Sequence, residues 1–327
     1  MADRTGVDYA AEGVTQVDEA TGQDTPVAHT CGHDFHIVCL LGTVQALHAH
    51  RDSWSGTFVA VFQPGEENAA GARAMVADGI VGKVPKPDVY LGQHVLGSLP
   101  DGAVGIRSGP LFSAAASIEI TLHGKGSHGS MPDLGVDPIV LGAAIVTRLQ
   151  TIVAREVAPR ETAVVTVGSF HAGTKSNIIP DSAVLQLNTR AFDKEVETHL
   201  HEAIERIVRA ECEPARSPKP PKFRYYDQYP LTSNHEEPTL KVRAAFDAFF
   251  GDKSVDMAPV PASEDFSVIP DAFGCPYTYW CLGGFADWKN APGNHSPFFA
   301  PDIQPTLDRG TEAIVVAASP WLVGSRR

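Results

Sequence analysis

Apolar residues recur along this chain with more than one period. From Asp34 onward, Ile37, Val38, Leu40, Leu41, Val44 and Leu47 return at steps of three and four, which predicts a helix. Thr57 to Phe62 (TFVAVF) is short and mostly apolar, as in a strand buried on both faces, and Gln63-Pro64-Gly65 ends it. Ala69 to Ala77 predicts a helix closed by Gly79. Asp88 to Leu91 opens another buried strand that ends at His94. The first thirty residues carry no clear period and are expected to be loop. Strand, helix and strand in alternation argue for an α/β layer with a mainly parallel sheet.

The middle of the chain has another texture. Ser117 to Leu122 (SIEITL) alternates like a strand with one solvated face. A helix over Pro138 to Val153, strands over Ala163 to Phe170 and Ala183 to Ala191, a helix over Lys194 to Arg209 and a strand over Lys222 to Tyr226 complete a βαββαβ order, that of a ferredoxin-like unit. The last hundred residues return to the first texture, with helices at Pro238 to Phe250 and Leu307 to Leu322 and a strand at Tyr277 to Leu282. The expected fold is α/β: a catalytic domain over 1–112 and 228–327, interrupted by an inserted α+β domain over 113–227.

Composition narrows the function classes. The chain has 327 residues, 43% of them hydrophobic and 20% charged, as a soluble globular protein with a real core has. Its formal net charge of -13 disfavours nucleic acid and leaves small-molecule chemistry open. No apolar run is expected to reach the length of a transmembrane helix, and the polar, acidic stretch from Met1 to Gly22 is unlike a secretory signal. The 5 cysteines, without framework spacing, fit a reduced, cytoplasmic chain.

Four segments carry candidate chemistry. His29-Thr30-Cys31-Gly32-His33-Asp34-Phe35-His36 has a Cys-x-His spacing that can present a thiolate and an imidazole to one ion. A helix start with Asp34 as N-cap accounts for the same octet. Glu66 and Glu67 follow a buried strand, the end of a sheet at which α/β proteins bind ligands. One carboxylate can hold an ion while its neighbour takes a proton from water; a solvated acidic turn is the plain alternative. His94 closes a buried strand and His295 lies in a late turn. Either alone suits a hydrogen-bonded structural histidine, but together the Cys, His and Glu side chains suit zinc or a similar divalent ion.

These segments, in order, resemble a known family. Cys31-Gly32-His33-Asp34, Pro64-Gly65-Glu66-Glu67, Gly92-Gln93-His94-Val95 and His295-Ser296-Pro297 are similar to the motifs of the aminoacylase and carboxypeptidase-G-like metallopeptidases, in the branch of hippurate hydrolases and indole-acetyl-amino-acid hydrolases. Gly124 to Pro132, Gly135 to Pro138, Asn177 to Asp181 and Ser263-Glu264-Asp265-Phe266 extend the match. The resemblance implies a metal-dependent hydrolase of linear amides acting on N-acyl amino acids. It implies two divalent ions, zinc or manganese or else cobalt, on Cys31, His33, Glu67, His94 and His295. Glu66 takes the general-base role, and His128 stabilises the oxyanion, commonly from a partner subunit. Asn177 and Arg190 are candidates for holding substrate, with a strand-end salt bridge as the alternative for Arg190. The inserted domain is implied to serve as lid and homodimer interface.

The match begins near Thr5. Thr5 to Ala10 looks like the stretch after an Asp-rich loop near the metals, so the resemblance implies that upstream strands of the catalytic sheet are missing and that metal binding or activity is weakened. Two competing readings are a Cys31 nucleophile with a histidine base, which leaves the carboxylates idle, and a non-catalytic binding or dimerisation protein, which has no need of Glu66. The acyl group and the side-chain preference are not legible in the residues.

Overall fold

The computed structural model describes residues 1–17 and 22–323; residues 18–21 of the expected N-terminal loop and 324–327 of the last segment lie outside them. After a short strand pairing near the N-terminus come helix α1 (His33–Ala49), a stretch without ladder bonds, helix α2 (Gly71–Ala77), and strands β1 (Tyr90–Leu96) and β2 (Val104–Ile106). There follow β3 (Ala114–His123), α3 (Pro138–Thr151), β4 (Ala163–Ala172), β5 (Ser182–Ala191), α4 (Lys194–Cys212) and β6 (Lys222–Tyr229). The chain then forms α5 (Glu236–Phe250), β7 (Ser254–Asp256), β8 (Tyr277–Gly283) and α6 (Ile303–Leu322).

The first and last thirds share one sheet, in the order β7-β2-β8-β1. The β8–β1 and β7–β2 pairings are parallel and only β8–β2 is antiparallel. β8 is buried at every position and sits in the middle, its Trp280 and Leu282 packed with α5 and α6 and its Tyr277 and Tyr279 with Leu111, Phe112 and Phe266. Its register sets Cys281 opposite His94, and β1 runs two residues past the histidine, to Leu96, instead of ending there as expected.

The middle third is the ferredoxin-like unit, with antiparallel order β6-β3-β5-β4. The alternation in β3 (Ile118, Ile120 and Leu122 buried) faces Leu141, Ile145 and Leu149 of α3 and Leu200 and Ile204 of α4. Both helices start on an aspartate: Asp137 accepts from the backbone of Ile139 and Val140, and Asp193 from that of Glu195 and Val196. Contrary to expectation, one stretch among the described residues, Pro138–Glu156, is long and apolar enough to cross a membrane. Its residues Leu141, Ile145, Leu149 and Ile152 are buried in the core of this unit.

Four expectations are corrected. Thr57 to Phe62 forms no strand: it finds no ladder partner among the described residues, although Phe58 packs against Leu47, Ala318 and Leu322 and Val61 against the cluster of Ala72, Ile80, Ile269 and Phe273. Helix α1 is present, but its buried line is Phe35, Cys39, Thr43 and Leu47, while Ile37, Val38, Leu41 and Val44 are exposed. The small line wins because α6 lies against it: Cys39 and Thr43 donate to the carbonyls of Leu307 and Thr311. Asp34 does not cap α1; the cap position is Gly32, in the left-handed region. The N-terminal loop contains a small antiparallel pairing of Thr15–Val17 with Asp24–Pro26.

Candidate active site

The site is built at the end of β1 from three loops. Gly32 has φ 85°, and a Cβ there would lie 2.3 Å from the Val95 side chain, so glycine alone lets Cys31 and His33 straddle the end of β1. Sγ of Cys31 lies 3.5 Å from Nε2 of His94. Nδ1 of His94 donates to the Val95 carbonyl at 2.8 Å, which leaves Nε2 to face the thiol. Holding one ring nitrogen on a carbonyl is how a ligating histidine is oriented.

The Glu66-Glu67 turn closes the opposite wall. Nε2 of His33 is 3.6 Å from Glu66 and 3.9 Å from Glu67, and Nε2 of His295 is 3.3 Å from Glu67. Three overlapping triads, Cys31–His33–His94, Cys31–Glu67–His295 and His33–Glu66–Glu67, each keep their ligand atoms within 4.8 Å. Overlap through Cys31, His33 and Glu67 is what two neighbouring cations with shared ligands require, and the S, N and O donors suit zinc or manganese.

The electrostatics separate the two glutamates. Burial, and then the charge of Glu67, push the Glu66 carboxyl up to about 8. The hydrogen bond from His295 holds Glu67 below the usual range, and the same bond raises His295. Burial lowers His94 to about 4 and also lowers His33, so these imidazoles are neutral donors of lone pairs at pH 7. Burial and the nearby carboxylates raise the Cys31 thiol; without a cation in the site it is no thiolate nucleophile.

The cleft around these groups, about 1480 Å³, exceeds the roughly 300–1,000 Å³ of common small-molecule sites. It runs on between the unpaired stretch at Phe58 to Phe62 and Leu91 of β1. Arg190 and Tyr229 reach it from the inserted unit. Arg190 makes no salt bridge with the described residues; its Nη1 donates to the Pro261 carbonyl at 2.6 Å and to Ser263 at 3.1 Å. His128 and Asn177 are not brought to this cleft. They lie beside each other on the exposed pairing of Ser127–His128 with Ile178–Ile179, where Gly129 N donates to the Asn177 carbonyl.

Several supporting residues escape a sequence reading. His36 accepts from Val95 N at 3.1 Å, Asn294 donates to the carbonyls of Cys31 and Val95, and the Tyr229 hydroxyl donates to the Glu66 carbonyl at 3.3 Å. Only their closeness to the motifs, His36 inside the first and Asn294 beside His295, marks them in the chain.

Comparison with known proteins gives these features a family. The chain is 31% identical to the N-acetyl-L-cysteine deacetylase of Bacillus subtilis (strain 168) over 328 residues, spanning 100% of this chain and 71% of that protein. It is 32% identical to the hippurate hydrolase of Campylobacter jejuni, over 77% of this chain and 65% of that enzyme. The crystal structure of the Bacillus subtilis YXEP protein, described as a dinuclear metal binding peptidase from the M20 family, superposes with a TM-score of 0.74 at 27% identity, over 97% of this chain and 76% of that one. Residues 11–318 match the model of Peptidase family M20/M25/M40, and the chain belongs to that family of metal-binding hydrolases acting on amides.

Proposed function

We propose that this protein hydrolyses the amide bond of N-acylated amino acids, with Glu66 as general base. The observation that carries the reading is the division of labour between adjacent glutamates: Glu67 is bound by His295 and held low, while Glu66, 3.6 Å from His33, is half-buried with its carboxyl raised to about 8. A base whose pKa lies near the working pH transfers protons best. Cys31, His33, Glu67, His94 and His295 are the residues to hold a pair of divalent ions, zinc, manganese or cobalt. Bound there, the ions supply positive charge that acidifies water and polarises the amide carbonyl.

The chain's own residues do the rest. Glu66 accepts a proton from water as the water oxygen bonds to the amide carbon. It then returns that proton to the amine nitrogen as the C–N bond breaks, so acid and free amino acid leave and Glu66 is restored. Tyr229 and the turn itself keep the Glu66 backbone in place. Arg190, at the cleft wall, is placed to meet a substrate carboxylate with the guanidinium nitrogens not committed to Pro261 and Ser263. His128 and Asn177 are exposed on the inserted unit; in this reading they serve the cleft of a second copy in a homodimer. The deacetylase and hippurate hydrolase similarities favour N-acetyl and N-benzoyl amino acids as the first substrates to try.

A panel of N-acyl amino acids, assayed with zinc, manganese or cobalt, tests the proposal. Release of free amino acid that EDTA abolishes and metal restores is expected. Hydrolysis that survives EDTA counts against it.

A further inference from the structure

The Ser263-Glu264-Asp265-Phe266 motif has no part in the chemistry above, yet it lies against the turn that carries the base. That turn closes on itself. Ala70 N and Gly71 N both donate to the Gly65 carbonyl, at 3.3 and 3.0 Å, and Ala69 N donates to the Glu66 carbonyl at 2.8 Å. A Cβ on Gly71 would fall 1.4 Å from the Pro64 carbonyl oxygen, so the two ends of the turn are in contact. Its internal bonds fix its shape; its place relative to the histidines depends on contacts from outside, the Tyr229 hydroxyl on the Glu66 carbonyl at its middle and a carboxylate on its two flanks.

Asp265 supplies the place. Its Oδ1 accepts from Gln63 Nε2 at 2.6 Å, just before the turn. Its Oδ2 accepts from Ala72 N at 3.0 Å, just after the turn. One carboxylate, with Asp265 itself 0% exposed, thus grips both flanks of the segment that bears Glu66 and Glu67. The grip is anchored in turn. The Ser113 hydroxyl and backbone N–H meet the Ala262 carbonyl, Ser113 and Ser263 share a hydrogen bond, and Arg190 holds the Pro261 carbonyl. These contacts tie the loop that carries Asp265 to Ser113, just before β3, and to Arg190 near the end of β5.

We propose that Asp265 is a positioning residue: its two hydrogen bonds set where the Glu66 and Glu67 carboxylates stand relative to His33 and His295. The inference rests on the reading of Glu66 as base and Glu67 as ligand. The bonds, rather than the charge, are the operative feature. An asparagine at 265 can keep both, accepting from Ala72 N through Oδ1 and donating through Nδ2 to Gln63 with its amide turned over.

The test measures Mn²⁺ alone binding to the full chain by titration calorimetry, alongside kcat and KM for an N-acyl amino acid. Asp265→Ala is expected to weaken Mn²⁺ binding and lower kcat by about 10–100-fold each, the range for groups that orient ligands, with KM little changed. Asp265→Asn is expected to recover most of both. Should Asp265→Ala fail to fold, Gln63→Ala, which removes one of the two bonds, must show the same losses to a smaller degree. Wild-type Mn²⁺ affinity and kcat in Asp265→Ala or Gln63→Ala overturns the inference, as does an Asp265→Asn variant as impaired as Asp265→Ala. A wild-type chain that binds Mn²⁺ but cleaves no N-acyl amino acid refutes the proposed reaction instead, and the Mn²⁺ titrations still decide the role of Asp265.

Discussion

Cys31 and His94 stand 63 residues apart in the chain, yet the thiol and the free imidazole nitrogen lie 3.5 Å from each other. Neither carries a charge at pH 7, since burial raises the thiol and lowers the imidazole. A half-buried thiol and imidazole nitrogen facing each other suit a divalent cation such as zinc. Cys31→Ala is therefore expected to lower affinity for Zn²⁺ by more than the about 10–100-fold of an orienting residue, because it deletes a ligand outright. Competition against a metal-binding dye measures this, and unchanged Zn²⁺ affinity removes Cys31 from the ligand set.

Buried Glu264 makes stability depend on pH. Burial, eased only in part by the hydrogen bond from Thr232, raises its carboxyl from 4.5 to about 8. Below pH 4.5 the group is neutral in both folded and unfolded chains. Between 4.5 and 8 the unfolded chain releases the proton and the folded chain keeps it. Stability then falls as pH rises, by about 1.4 kcal/mol per pH unit for this group within the window, and levels off above it. Glu264→Gln is expected to flatten the slope and to unfold at higher urea than wild type at pH 8. Parallel slopes for the two proteins between pH 5 and 8 refute the assignment.

The exposed position of His128 gives a test of the proposed homodimer. If each cleft takes His128 from a second copy, Glu66→Gln and His128→Ala chains are each inactive alone. Co-expressed in equal amounts, they form hybrids in which one site has both native residues, and about a quarter of wild-type activity returns, as two-fold symmetry requires. No recovery in hybrids confirmed by mass places His128 outside the reaction or in its own cleft.

The inserted unit has its own core, in which Ile120 is fully buried between β3 and helices α3 and α4. Ile120→Ala is expected to cost about 2–5 kcal/mol of stability, read from the urea midpoint, because the cavity left behind cannot collapse. A loss below about 1 kcal/mol means that the layer is looser than its burial indicates.

How far the sequence carries the fold depends on what each signal measures. The alternation Ile118, Ile120, Leu122 marks β3 because the burial of one face of a sheet prints directly on alternate residues. The apolar line of α1 marks a helix but misleads about its buried face, since periodicity says nothing of whether α6 will dock on Cys39 and Thr43 instead. Thr57 to Phe62 has the composition of a strand, but a ladder needs a neighbour, and none of the described residues bonds to it. The candidate ligands are legible because they fall in short motifs beside the main elements, Cys31 and His33 at the start of α1, His94 near the end of β1, Glu67 and His295 in turns. Asp265 and Asn294 are not, because their partners lie about two hundred residues away and only the folded chain joins them.

The account stands on Glu66. In Glu66→Gln the carboxylate is lost while Cys31, His33, Glu67, His94 and His295 remain. Measured with Mn²⁺ bound and an N-acyl amino acid as substrate, this variant is predicted to bind the ion as wild type does and to lose about 10²–10⁴-fold in kcat, the usual worth of a general base. Turnover at the wild-type rate in the metal-loaded variant contradicts it.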